Sequence, residues 1–305
     1  MHTTSQHHPD PQNSPMSQYP LVGKTALVTG VSRRRGIGYA VATRLLELGA
    51  SVFVHHFSPH DLDQPWGGDD LDELRAGLFA TRIGDASIGD LGCDLADASE
   101  IPRLIEAATA LTGTLDILVC NHAKSGDDGS IIDMTAERLD AMWATNTRST
   151  VLLTRAFAER HTLEAHEGGT RQPGERLGAT GPHEVPVGRV VWMTSGQIHG
   201  PMRGEVAYAA SKAALAGITP TVAAELLELG IVLNTINPGP VNTGYLDAET
   251  TDRSLENLEQ VKAAMPFGRF GRPSDPASLI GWLATDEGAW VVGQVLTTDG
   301  GFSLG

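Results

Sequence analysis

Cysteine, positive charge and long apolar runs are all scarce in this sequence. Two cysteines in 305 residues, Cys93 and Cys120, are too few for a disulfide framework. Lys and Arg number 22 against 37 Asp and Glu, which leaves a formal net charge of −15 and argues against a basic nucleic-acid-binding face. No apolar run approaches the roughly 18–20 residues that span a bilayer, and the N-terminal stretch lacks the basic and apolar regions of a signal peptide. We therefore expect a cytoplasmic protein whose partner is a small molecule rather than nucleic acid or a membrane.

Short apolar, β-branched segments alternate with helical patterns along most of the chain. Strand-like segments include TALVTG, SVFVHH and GRVVWMTS, and helical periodicity marks residues 99–112, 135–160, 206–229 and 274–285. This alternation indicates parallel strands covered on both faces. We predict one α/β domain over residues 21–305, a Rossmann-type doubly wound parallel sheet flanked by helices on both faces. The polar residues 1–20 are predicted to be a disordered tail, and their three histidines lack the spacing of a metal site.

Two segments interrupt the alternation, a polar loop over residues 56–70 and a Gly- and Pro-rich stretch over residues 161–188. Loops of this length in a compact domain are usually functional or disordered. The second segment precedes GRVVWMTS and so enters the amino end of that strand, whereas open α/β sheets bind ligands at the carboxyl edge. We predict that residues 161–188 are peripheral to any active site.

A glycine-rich turn follows the first strand. Gly30, Gly36 and Gly38 lie between TALV and the first helix, where free backbone N–H groups and a helix N-terminus can hold a pyrophosphate. The spacing differs from the G-x-G-x-x-G dinucleotide fingerprint, so the turn alone is weak evidence. Its position after the first strand of an α/β chain nevertheless predicts a dinucleotide site.

A tyrosine and a lysine stand four residues apart in the segment GEVAYAASKAALAG. Tyr208 and Lys212 would share one helical face, one turn apart. A free tyrosine titrates near ~10, and a nearby cation lowers that pKa toward working pH, which makes the hydroxyl a usable general acid or base. Ser195, at the end of GRVVWMTS, could donate a hydrogen bond to a substrate oxygen. An isolated Y-x-x-x-K is more often a packed tyrosine beside a solvated lysine, so this pair indicates proton-transfer chemistry only in combination with the other motifs.

The order of these motifs resembles the short-chain dehydrogenase/reductase family, and within it the 3-oxoacyl-acyl-carrier-protein reductases. The resemblance covers Lys24 to Gly301 and rests on the glycine turn, the Asn after the fourth strand, Asn146, Ser195, Tyr208, Lys212 and a Pro-Gly-x-x-x-Thr segment. It implies hydride transfer between a nicotinamide cofactor and a carbonyl or secondary alcohol. The positions that it implies for the cofactor are Gly30, Ser32, Arg35, Gly36, Ile37, Gly38, Asp94, Leu95, Asn121, Ala123, Tyr208, Lys212, Pro238, Gly239 and Thr243.

The resemblance also implies catalytic roles. Tyr208 would exchange a proton with the substrate, while Lys212 would lower the tyrosine pKa and hold the nicotinamide ribose. Ser195 would orient the substrate oxygen, and Asn146 would position a water that links Lys212 to solvent. Substrate-lining residues are expected in the loop after Ser195, with Gln197, His199 and Met202 as candidates.

Three departures from the family pattern bear on these expectations. The glycine turn is two residues longer than the ordinary TG-x-x-x-G-x-G, a form similar to that of the related enoyl-acyl-carrier reductases. Those enzymes place their tyrosine seven residues before the lysine, where this chain has Glu205, so the tyrosine position favours carbonyl over enoyl reduction. Lys124 replaces a glycine after the fourth strand, and Pro220 falls inside the predicted helix over residues 206–229, where it could introduce a kink.

The expected cofactor is NADP(H) rather than NAD(H). NAD-specific sites usually place a carboxylate at the end of the second strand, and this chain has His56, Phe57 and Ser58 there. The arginines at positions 33–35 lie in the glycine turn, and guanidinium groups pair well with phosphate.

Assembly and function leave alternatives open. By resemblance, we expect a homotetramer or a dimer that associates through the two long helices near residues 135–160 and 206–229. The leading functional prediction is a ketone or 3-oxoacyl reductase. A sugar or secondary-alcohol dehydrogenase would use the same residues, and a dinucleotide-sensing protein without turnover would keep only the fold.

Overall fold

The chain folds around one parallel sheet. The structure is a computed structural model that describes residues 18–163, 181–251 and 254–305. Its sheet has seven strands in the order β3-β2-β1-β4-β5-β6-β7, all of them parallel. The strands are β1 (Thr25–Val28), β2 (Ser51–His56), β3 (Ile88–Gly92), β4 (Ile117–Cys120), β5 (Gly188–Met193), β6 (Ile231–Asn237) and β7 (Val295–Thr297). The prediction of a doubly wound parallel α/β sheet is confirmed.

Nine α-helices in the described residues connect and cover the strands. They are α1 (Ile37–Glu47), α2 (Ser58–Leu62), α3 (Leu71–Thr81), α4 (Glu100–Ala110), α5 (Ala136–Met142), α6 (Ser149–Leu163), α7 (Val206–Leu227), α8 (Leu255–Ala264) and α9 (Ser274–Ala284). Single 3₁₀ turns occupy Ile131–Asp133, Gly196–Ile198, Asp286–Gly288 and Phe302–Leu304.

Two predicted helices differ in detail from the structure. The one predicted over residues 135–160 consists of α5, a π-helical segment Trp143–Arg148, and α6. By contrast, α7 continues through Pro220 as one helix of 22 residues. Helices α3 and α8 were not anticipated, because their sequences are polar and show only short apolar repeats.

The core lies on both faces of the sheet, and β1 shows why. Ala26 and Val28 point to one face and pack with residues of α1 and α9, whereas Leu27 points to the other face and packs with residues of α4, α6 and α7. Successive side chains of a strand alternate between faces, so a strand buried on both sides must be apolar throughout. Burying each such side chain stabilises the fold by about 1.5–3 kcal/mol.

The predicted tail and insertions lie only partly within the described residues. Residues 1–17 of the tail and 164–180 of the second insertion lie outside them, while residues 181–187 lead into the amino end of β5. The first insertion, expected to be a loop over residues 56–70, contains the short helix α2.

Within the described part of the chain, no helix is long and apolar enough to cross a membrane, and no group of three or more His, Cys, Asp or Glu side chains could hold a metal ion.

Candidate active site

A cavity of about 1040 Å³ opens at the carboxyl edge of the sheet. The strand order reverses between β1 and β4, which is the position where open α/β sheets bind ligands. Most of the residues predicted for the cofactor and the chemistry line this cavity. They are Gly30, Ser32, Gly36, Ile37, Asp94, Leu95, Asn121, Ala123, Ser195, Met202, Tyr208, Lys212, Pro238, Gly239 and Thr243.

The glycine turn is shaped so that only glycine fits at two of its positions. Gly30 has φ +72°, and a Cβ there would lie 2.7 Å from the Cα of His122. A Cβ on Gly38 would lie 2.4 Å from the Gly30 carbonyl oxygen, so Gly38 contributes close packing rather than cavity lining. The Asn121 amide donates to the carbonyls of Thr29 and Gly30, both at 3.1 Å, and ties the turn to β4.

The turn fits the phosphates of a dinucleotide. Helix α1 starts at Ile37, and the preceding residue, Gly36, provides no side-chain capping bond; the first turn contains no acidic residue. Its N-terminal N–H groups and partial positive charge are therefore available to an anion.

Two buried histidines form hydrogen bonds with the start of the glycine turn, His55 with Gly30 and His122 with Thr29. The His55 Nδ1 accepts the Gly30 N–H at 3.3 Å, so its Nε2 carries the proton and donates to the Cys93 carbonyl at 2.9 Å. His122 lies between the hydroxyls of Thr29 and Ser149, each 2.7 Å from a ring nitrogen. Burial lowers the pKa of His55 to about 4 and that of His122 well below its usual value, so both rings are neutral. No sequence motif marked these side chains as supports of the turn.

Tyr208 and Lys212 face the cavity from the first two turns of α7. The Lys212 Nζ lies 5.8 Å from the Tyr208 ring centroid and donates to the Met193 carbonyl at 3.1 Å. Lys212 is only 2% exposed, and this burial lowers its pKa to about 8, with a smaller opposite effect from Cys120. The arrangement brings a phenol and a desolvated ammonium together, as the spacing predicted.

Asn146 does not line the cavity. It lies in the π-helical segment and is fully buried. Its Oδ1 accepts the Lys124 N–H at 2.7 Å, and its Nδ2 donates to the Lys124 carbonyl at 3.2 Å and to the Ser211 hydroxyl at 3.0 Å. The Ser211 hydroxyl in turn donates to the Tyr208 carbonyl at 2.7 Å. Asn146 therefore connects the segment after β4 to the turn of α7 that carries Tyr208. The backbone at Lys124, which replaces a glycine of the family pattern, does not have a positive φ.

The three arginines of the glycine turn have different surroundings. Arg33 lines the cavity, where its side chain bonds Asp61 at 2.9 Å and the Thr243 carbonyl at 2.6 Å. Arg35, the arginine predicted to contact the cofactor, is 62% exposed, pairs with Asp247 at 2.7 Å and lies outside the cavity lining. Arg34 pairs with Asp69, which precedes α3, and with Glu73 in the first turn of α3.

Arg33 also joins the first insertion to the cavity wall. Its guanidinium lies 5.5 Å from the Trp66 ring centroid, and Trp66 packs edge-on against Tyr245 at 6.3 Å between centroids. Residues of the insertion, including Phe57, Asp61 and Trp66, line the cavity. The length of this segment predicted a loop that is functional or disordered, and its contacts with Arg33 depend on the tertiary fold.

Of the three candidate substrate residues, the structure brings only Met202 to the cavity. The Met202 sulfur lies 3.8 Å from the Ser195 hydroxyl, and both residues line the cavity. The Gln197 amide donates to the Thr194 hydroxyl at 2.9 Å, and the exposed His199 bonds the Thr297 hydroxyl at 2.7 Å. These bonds hold Gln197 and His199 outside the lining.

Comparisons with known proteins agree with this geometry. A family model described as enoyl-(acyl carrier protein) reductase matches residues 30–170 and 177–303. The chain is 33% identical over 282 residues to an uncharacterized oxidoreductase of Bacillus subtilis, YjdA, with 92% of this chain and 98% of that protein covered. It is 32% identical over 287 residues to the NADPH-dependent aldehyde reductase-like protein, chloroplastic, of Arabidopsis thaliana, with 93% and 95% covered.

Solved structures show the same similarity. A short-chain dehydrogenase/reductase from Serratia marcescens superposes with a TM-score of 0.72 at 29% identity, and the match covers 93% of this chain and 99% of that one. A short chain dehydrogenase from Burkholderia cenocepacia in complex with NADP gives a TM-score of 0.72 at 28% identity, with the same coverage.

Proposed function

Since the chain belongs to the short-chain dehydrogenase/reductase family of oxidoreductases, we propose that it reduces a ketone or 3-oxoacyl group with NADPH. The proposal rests above all on one observation. Tyr208 and Lys212 lie one helical turn apart against a cavity at the switch point of the sheet, and Ser195 lines the same cavity.

Tyr208, Lys212 and Ser195 would each have a separate role in carbonyl reduction. A nicotinamide dinucleotide bound in the cavity would supply the hydride. The Tyr208 hydroxyl would donate a proton to the substrate oxygen, and the Lys212 ammonium would stabilise the phenolate that remains. Ser195 would donate a hydrogen bond to the same substrate oxygen and fix its direction. The role of Asn146 in a water relay stays a prediction, while its bonds to Lys124 and Ser211 support a role in holding α7.

Carbonyl reduction is favoured over enoyl reduction, although the matching family model is described as an enoyl reductase. The cavity-facing tyrosine stands four residues before Lys212, and the position seven residues before Lys212 is Glu205, which has no phenol. The deciding experiment measures NADPH oxidation with ketones, 3-oxoacyl thioesters and enoyl thioesters, and cofactor reduction with sugars and secondary alcohols. Turnover restricted to enoyl thioesters, or no turnover with any substrate, would contradict the proposal.

We expect kcat/KM to be higher with NADPH than with NADH. The carboxyl end of β2 carries His56 and Phe57 rather than a carboxylate, and Arg33 faces the cavity. One relative is named NADPH-dependent, and one similar structure holds NADP. NADPH differs from NADH by its 2′-phosphate, and a hydrogen bond to such a charged group contributes about 1.5 kcal/mol or more. Arg33→Ala should therefore reduce the ratio of kcat/KM with NADPH to kcat/KM with NADH by about tenfold. Arg35→Ala is the matched control and should leave the ratio unchanged; a wild-type ratio that favours NADH would contradict the assignment.

We also propose that the protein is a homotetramer, or at least a dimer. Leu139 and Trp143 are 41% and 50% exposed, and with Ala207 and Ala210 they line a shallow apolar groove between α5, the π-helical segment and α7. The large apolar side chains of Phe267, Trp290 and Leu304 are exposed as well. Light scattering at micromolar concentration should give a multiple of 32.3 kDa, and Trp143→Glu should reduce it. A monomeric wild type would refute the proposal.

A further inference from the structure

Helix α7 begins without a capping side chain of its own. Its first residue is Val206, and the preceding Glu205 makes no side-chain capping bond. The first regular helical bond runs from the Ala209 N–H to the Glu205 carbonyl at 2.8 Å. The N–H groups of Val206, Ala207 and Tyr208 therefore have no acceptor inside the helix. One of these three belongs to the residue that carries the proposed proton donor.

The segment after β4 supplies all three missing acceptors. The Gly129 carbonyl accepts the Val206 N–H at 3.3 Å. The two oxygens of the Asp128 carboxylate accept the other two, Oδ1 from Ala207 at 3.0 Å and Oδ2 from Tyr208 at 2.8 Å. Oδ1 also accepts the N–H of Gly129 at 2.8 Å. A carboxylate at a helix N-terminus forms charge-assisted hydrogen bonds and complements the helix dipole.

The backbone around Asp128 is held in a special conformation. Asp127, with φ +48°, is the one non-glycine residue of the described chain in the left-handed region, and Gly126 before it has φ +76°. On the other side, the Ser130 and Asp133 side chains form a reciprocal capping box around the next turn. Asp is one of the few non-glycine residues that adopt this conformation readily, so residues 126–127 form a tight turn directly before Asp128. The segment is thus fixed at both ends with its carboxylate directed at α7.

We propose that Asp128 is a positioning residue for the proton donor. By accepting the N–H groups of Ala207 and Tyr208, its carboxylate fixes the first turn of α7, and with it the direction in which the Tyr208 side chain enters the cavity. Asp128 lies 80 residues before Tyr208 in sequence, and its bond to Tyr208 is made with the backbone N–H rather than with the phenol. The expected loss of rate rests on the proposed role of Tyr208 as proton donor. The expected loosening of the first turn of α7 does not.

The kinetic test compares Asp128→Ala, Asp128→Asn and the control Asp70→Ala. A displacement near 1 Å can cost about 100-fold in rate, so Asp128→Ala should lower kcat by roughly that factor and leave the Kd for NADPH unchanged. Asp128→Asn keeps one acceptor oxygen and should fall between the alanine variant and the wild type. Asp70→Ala removes a carboxylate that accepts two N–H groups at the start of α3, outside the cavity lining, and should behave as the wild type. A kcat of Asp128→Ala within twofold of the wild type would overturn the proposal.

Amide hydrogen exchange tests the structural part without any turnover. In Asp128→Ala the amides of Ala207 and Tyr208 should exchange faster, while amides in the middle of α7 keep their protection. Unchanged protection at both residues would overturn the proposal even if the rate fell. If the wild type reduced no carbonyl substrate, the proposed function would fail on that result, and the exchange data would still decide whether Asp128 holds this turn.

Discussion

Tyr208→Phe is expected to lose nearly all carbonyl reduction and to keep its fold and its affinity for NADPH. The substitution removes only the hydroxyl, and the ring that packs beside Lys212 remains. Positioned general acids contribute about 10²- to 10⁴-fold to rate, so kcat should fall by a factor in that range. Steady-state kinetics with the best ketone of the substrate panel gives the loss, and titration with NADPH gives the affinity.

Tyr39→Phe is the matched control for this experiment. Tyr39 lies in the first turn of α1, packs against the core with its hydroxyl beside Gly77 of α3, and is not part of the cavity lining. It should retain wild-type kinetics. A substantial residual rate in Tyr208→Phe would show that another group donates the proton, and the acid assignment would be wrong.

Lys212→Met is expected to reduce both the rate and the cofactor affinity. The Lys212 side chain is almost fully buried, and methionine has a similar length without the charge, so the fold should tolerate the change. Loss of the ammonium leaves the developing phenolate without its cation, and removal of one such electrostatic contact costs on the order of 100- to 1000-fold in kcat. NADPH binding should weaken as well, because the ammonium lines the cavity.

The pH dependence of cofactor binding tests the same residue independently. Burial lowers the pKa of Lys212 to about 8 in the cofactor-free protein. The ammonium is therefore charged at pH 7 and mostly neutral at pH 9, so NADPH affinity should fall as the pH rises through this window. In Lys212→Met this fall should disappear. An equally steep fall in the variant would assign the titration to another group.

Local patterns sufficed for the strands and for the Tyr–Lys pair at the centre of the site, but not for the polar helices α3 and α8. The strands are buried on both faces, which requires uninterrupted apolar segments such as TALV and GRVVWM, and such segments are visible in the sequence. The pairing of Tyr208 with Lys212 follows from helical periodicity alone. Gly30, Gly36 and Gly38 were predicted from a glycine-rich turn placed after the first strand, where a pyrophosphate can approach the backbone, and the structure shows that contacts exclude a side chain at Gly30 and Gly38. Each of these inferences depends on residues close together in the chain.

Contacts between distant segments were decided only by the tertiary structure. The π-helical segment buries Asn146 against Lys124 and Ser211, which no residue count along the chain reveals. The choice of Arg33 over Arg35 as the cavity arginine depends on where Asp61 and Asp247 lie after folding. The bond from Tyr208 to Asp128 spans 80 residues.

Sequence by itself therefore determined the strand–helix alternation, the glycine turn and the Tyr–Lys spacing, because these follow from the periodicity and sterics of neighbouring residues. Tertiary structure alone decided the burial that lowers the pKa of Lys212, the direction of the arginines and the capping of α7, because those depend on which carboxyl-edge loops the sheet order brings together.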